Sequence, residues 1–371
     1  MMILTRLQAK ASYEFRIICA LCVYIVTSIL LALSTVSSSS AQSYFGFLMV
    51  AVLASSWATG LIQNGAFAFV ASFGRKEYTQ AIMTGQAVAG VLPCTIQIFS
   101  ALANGSTKPN HTAFVKISRD GHPSSGSLLF TVSAAVFALT LLAFIYLLYQ
   151  RSRQASVVKA QQCVSAVDES QLRAEPSLSA ASDRFSHQTS SPSRPLRRAV
   201  GLIQLWRALP SLSSAIFLCF AITMAFPVFT NAIRSLNPNA FPVSLFIPAA
   251  FLIWNLGDLL GRILSGLTAT NLTPKPYLLL LAAVGRIVFI PLYLLCNVHG
   301  RGALIPSDIF YASVQLLFGL TNGYLGSTCM ISAGDHVVEE EKAAAAAFMS
   351  LCIVLGLTAG SLMSFVVGQL R

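Results

Sequence analysis

Apolar residues in this chain fall into long, nearly unbroken runs rather than the amphipathic stripes of a soluble domain. Nine runs reach about the 20 residues that a helix needs to cross bilayer hydrocarbon, at about 15–36, 44–73, 78–102, 128–149, 210–233, 243–267, 277–296, 307–331 and 343–370. Between them lie a Ser-rich turn at Ser37–Ser43, the charged break Gly74-Arg75-Lys76-Glu77, and turns holding Asn237-Pro238 and Pro274-Lys275-Pro276. The pattern predicts an all-α polytopic membrane protein. Four helices precede a long polar segment and five follow it.

That arrangement divides the chain into an N-terminal bundle (1–149), a linker (150–208) and a C-terminal bundle (209–371). Residues 150–207 carry nine basic and four acidic side chains, are rich in Ser, Gln and Pro, and have almost no aromatics. Such a composition predicts a disordered segment, and its positive excess places it in the cytoplasm. Four crossings earlier, the N-terminus is then cytoplasmic too. Arg75, Lys76 and Lys275 fall inside, whereas the uncharged Ser37–Ser43 turn falls outside. The glycosylation sequons at Asn104 and Asn110 also fall outside, and Asn271-Leu-Thr inside.

Composition agrees. Of 371 residues, 55% are hydrophobic and only 10% charged, where a soluble domain has about 25%. The net charge of +11 is better explained by loops flanking membrane helices than by nucleic acid. Cys19 and Cys22 form a CxxC, but on one apolar helix with no second pair or nearby histidine, so core packing is the expectation. No Gly-rich phosphate loop, nucleophile elbow, paired-carboxylate pattern or cofactor motif is present, which argues against an enzyme and predicts no cofactor or metal.

The exception to the apolar pattern is Phe251–Gly266, FLIWNLGDLLGRILSG. Asp258 and Arg262, four residues apart, share one helix face, and Asn255 extends that stripe by one turn. A lone charge at mid-membrane costs roughly 2.5–3.5 kcal/mol on insertion scales. An acid and a base that neutralise each other can be buried together. The bland reading is a structural ion pair. The sharper one is a site for a neutral solute rich in hydroxyls, with Asp258 accepting hydrogen bonds and Arg262 donating them.

WNLGDLLGR at Trp254–Arg262 resembles the D-x-x-x-R helix of the equilibrative nucleoside transporter family. RIVFIPLYLLCN at Arg286–Asn297 is similar to that family's next helix. LTNGYLGSTCM at Leu320–Met330 and EEEKAAAAAFMS at Glu339–Ser350 resemble its last two helices. QNGAFAFVASFGRKEYTQAIMTGQAVAG at Gln63–Gly90 resembles its glutamine-bearing helix and the GQxxAG helix after it. The likeness is to fungal-type members and covers nearly everything but the linker.

The resemblance implies a fold like the major facilitator superfamily, with eleven helices in the family, six then five. On that mapping this chain begins at the third helix and is N-terminally shortened. The resemblance assigns Gln63 to the base of a nucleoside, and Asp258 and Arg262 to its ribose hydroxyls, with Asn255 on the same face. It gives Gly85, Gly90, Asn322 and Gly323 packing or gating roles. Two departures stand out: Arg75-Lys76 replaces the family's proline before the third span, and the loop SAGDHVV lacks its usual proline. The implied function is nucleoside transport by alternating access, the alternative being a transport-inactive or regulatory protein that keeps the fold. Nucleobases, proton coupling, and a plasma or vacuolar membrane are left open.

Overall fold

A computed structural model describes residues 12–35, 40–103, 125–172, 200–237, 241–267 and 275–369. The sequons at Asn104, Asn110 and Asn271 lie outside these. Helices α1 (Tyr13–Ser34), α2 (Ala41–Ala71), α3 (Lys76–Ala103) and α4 (Ser125–Leu172) form the first half. A short α5 (Leu202–Ala208) leads into the second half. There follow α6 (Pro210–Thr223), α7 (Ala225–Ala232), α8 (Val243–Ser265), α9 (Pro276–Gly285), α10 (Phe289–Leu294), α11 (Asp308–Ser332) and α12 (Lys342–Gln369).

Helix starts follow local chemistry. Ser12, Ser40 and Ser307 cap α1, α2 and α11, each hydroxyl accepting from an amide three residues on. Pro210 and Pro276 stand in the first turns of α6 and α9, where no backbone N–H is needed. Two spans are broken: α6 and α7 meet at Met224, and α9 joins α10 through a 3-10 turn at Arg286–Val288.

Among the described residues, eight spans are long and apolar enough to cross a membrane, counting α6–α7 and α9–α10 as one each. The chain is a multi-pass integral membrane protein. The ninth expected span is α11, 25 residues long but not among those eight. Its buried face carries Gln315, Asn322, Ser327, Thr328 and Ser332, which lower its hydropathy because it faces protein, not lipid. At the periphery the pattern inverts, with Leu139, Leu142 and Ile145 of α4 exposed as lipid-facing residues would be.

One expectation changes. Helix α4 continues to Leu172, through the first 23 residues of the segment expected to be disordered, and α5 is helical as well. The reason is local: residues 150–172 hold neither Gly nor Pro and include five Gln and three Ala, which favour helix. The charge that marked the linker does not itself break a helix.

The halves meet along two lines. Helix α3 lies on α8, and α2 lies on α12. There Phe69 and Ala68 of α2 share a core with Ala343 and Ala347, small residues that let α12 come close. At the polar end of this seam Lys76 pairs with Asp335 at 2.7 Å, both partly exposed.

Candidate functional site

Helices α8 and α11 make the tightest contact in the site. A Cβ at Gly257 or Gly261 would strike the carbonyls of Leu316 or Leu320, and one at Gly319 or Gly323 those of Trp254 or Asp258. Two small-xxx-small motifs thus face each other and bring the backbones together. That approach sets Asn322 beside the acid.

Asp258 is 3% exposed and Arg262 7%. Arg262 Nε donates to Asp258 Oδ2 at 2.8 Å, closing the expected ion pair one helical turn apart. The other carboxylate oxygen accepts from Asn322 Nδ2 at 2.7 Å. Arg262 also reaches across to the first half. Its NH1 donates to the Met83 carbonyl at 2.8 Å and to Gln86 Oε1 at 3.2 Å. Gln80 donates to the Arg262 carbonyl and accepts from Ser265 Oγ at 3.2 Å. The pair therefore lies on the boundary between halves, with ligands from α3, α8 and α11.

On its far side the network continues. Thr223 Oγ1 donates to Asn322 Oδ1 at 2.7 Å, and Arg286 NH2 donates to Thr223 Oγ1 at 3.0 Å. The Arg286 guanidinium lies 4.5 Å from the Phe318 ring centroid. Its Nε and NH1 have no hydrogen-bond partner among the described residues, although Arg286 is 2% exposed.

The residues singled out in the sequence separate into three groups. Asp258, Arg262, Asn322 and Gly323 come together. Asn255 is on the same helix, but its amide donates to the Phe251 carbonyl at 2.8 Å and approaches Cys94, not Asp258. Gly90 packs directly against that Asn255 side chain, so its lack of a Cβ is used. Gly85 is exposed, with open space where a Cβ would stand, and brings no backbone close here. Gln63 is half-buried on α2 and has no hydrogen bond to this cluster. Its neighbour Asn64 is fully buried and accepts from Arg16 NH1 at 2.5 Å.

Sequence reasoning missed Gln80, Gln86, Thr223 and Arg286. The two glutamines carried a signal, as amides within an apolar span. Thr223 carried none, and the Met83 carbonyl is invisible to any side-chain pattern. Cys19 and Cys22 form no disulfide, and no group of metal-binding side chains occurs among the described residues.

Known proteins resemble this chain along most of its length. The family model described as nucleoside transporter matches residues 47–369. The nucleoside transporter FUN26 of Saccharomyces cerevisiae is 27% identical over 87% of this chain. The alignment spans 64% of the yeast protein's own length. Equilibrative nucleoside transporter 1 of Rattus norvegicus is 27% identical over 98% of this chain and 78% of its own. Equilibrative nucleoside transporter 2 of Homo sapiens is 36% identical over 40% of this chain and 33% of its own. With a polytopic helical fold, an Asp–Arg pair at the boundary between halves and a family match over most of its length, this chain belongs to the nucleoside transporter family.

Proposed function

We propose that the chain moves nucleosides across a membrane by rocking its halves about the Asp258–Arg262 pair. The observation that carries this reading is the Arg262 guanidinium, which is bound to Asp258 in one half and to Met83 and Gln86 in the other. A solute that replaces part of this network must offer hydroxyls to Asp258 and acceptors to the guanidinium. The sugar and base of a nucleoside have both and carry no net charge, so the buried cluster takes on no further charge. Nucleobases lack the sugar hydroxyls and should bind less well.

Gln86 is better placed than Gln63 to contact the solute beside Arg262. Gly90 and Asn255 pack the same α3–α8 boundary. The Lys76–Asp335 side is the cytoplasmic one on the distribution of basic loops, which also puts the linker in the cytoplasm. The test is tracer uptake of uridine and adenosine into vesicles holding the purified chain, compared with Asp258→Asn. Saturable uptake lost in the variant supports the reading; equal uptake by both removes Asp258 from the site.

A further inference from the structure

Both broken helices are broken by proline. Pro227 cannot supply the N–H that would bond the Thr223 carbonyl, and Pro291 fails the Ile287 carbonyl in the same way. The breaks fall at Met224 and at Arg286–Val288. Thr223 and Arg286, one at each break, are hydrogen-bonded to each other at 3.0 Å.

Beyond the breaks, α7 and α10 form one unit. Phe229 stacks on Tyr293 at 5.1 Å, the His299 amide bonds the Ala232 carbonyl at 2.8 Å, and the Arg234 amide bonds the Asn297 carbonyl at 3.0 Å. On the other side of the breaks, Thr223 reaches Asp258 through Asn322, whose oxygen also faces the Cys219 thiol at 3.6 Å. A buried guanidinium with two unpartnered donors is a costly thing to keep for packing only.

We propose that Arg286 is a positioning residue, the end of a relay Asp258–Asn322–Thr223–Arg286 through which the state of the acid sets the order of α7 and α10. Asn322 works as the switch in this relay. Its amide nitrogen faces Asp258 while its oxygen accepts from Thr223, whose single hydroxyl proton has a second acceptor in the Cys219 carbonyl, also at 2.7 Å, and Arg286 biases that choice by donating to the hydroxyl oxygen. Disturbing Asp258 frees the amide, then Thr223, then the guanidinium between the two breaks. Gln315 is a separate tie, joining Thr230 at 2.8 Å and Tyr293 at 2.7 Å to α11 without touching the relay. The consequence for transport rests on the function proposed above; the coupling itself does not.

Hydrogen exchange of the full chain in lipid nanodiscs tests it. Asp258→Ala, which removes both carboxylate oxygens, should speed exchange in 225–234 and 289–298 about tenfold or more, and leave 276–285 unchanged. Asp258→Glu, which keeps the charge but displaces it, should act in the same direction and serves if the first variant folds poorly. In an Asn322→Ala background neither change should have further effect, whereas in Gln315→Leu both should persist. Arg286→Lys should restore most of what Arg286→Gln loses. Unchanged exchange in α7 and α10 on altering Asp258, or an effect that survives Asn322→Ala, overturns the relay. Saturating uridine or adenosine should slow the same segments in the unmodified protein. If nucleosides leave them unaltered while the variants behave as stated, the relay stands and the nucleoside reading falls.

Discussion

Asn322 donates to Asp258 from 2.7 Å, and the next residue along, Gly323, lies against the Asp258 backbone carbonyl. Side chain and main chain of the acid are thus gripped by adjacent positions of one helix. Replacing Asn322 by Ala should therefore lower uptake about tenfold or more, because one carboxylate oxygen is left buried without its donor. Asn322→Asp should be worse, since two carboxylates would share the space. Uptake and thermal stability of the two variants, measured side by side, check this order.

The glycine seam makes a second prediction. Gly261→Leu or Gly319→Leu should separate α8 from α11 and cost several kcal/mol, seen as loss of monodisperse protein. Gly85→Ala meets open space and should stay within about 1 kcal/mol of the unmodified chain. A thermal-shift comparison of these variants decides it. Comparable damage at Gly85 would mean that its exposed face is covered in the membrane.

Gln86→Ala should weaken uptake more than Gln63→Ala, because only Gln86 bonds Arg262. The apparent KM of each variant is the measurement. A larger rise for Gln63 would return the base-contacting role to α2.

Lys76 and Asp335 join the halves across a partly exposed ion pair. Exposed pairs are worth little, so Asp335→Lys should change the uptake rate no more than roughly fivefold. The exchanged pair, Lys76→Asp with Asp335→Lys, should recover most of that change. An exchanged pair no better than the single variant would show that only the local charge matters.

The sequence made the membrane class and the central ion pair legible, for a simple reason. Charges are so costly in hydrocarbon that Asp258 and Arg262 stand out within the apolar run Phe251–Gly266. Their spacing of four fixes a shared face without any tertiary information. The other members of the site come from distant helices, and nothing local in Thr223, Gln80 or the Met83 carbonyl says which neighbour they meet. A glycine such as Gly85 reads the same whether it faces a helix or open space. The linker misled because composition reported its charge, while the lack of Gly and Pro up to residue 172 decided its helix.

The Asp258–Arg262 contact at 2.8 Å also has an electrical meaning. A single charge carried across a membrane exchanges roughly 2.3 kcal/mol with every 100 mV of potential. A closed pair presents only a short dipole, and an uncharged solute held by it adds nothing. Membrane voltage therefore finds no purchase on this pair. Any pull of the field on a movement of the halves would act on charges outside the pair, such as the buried Arg286.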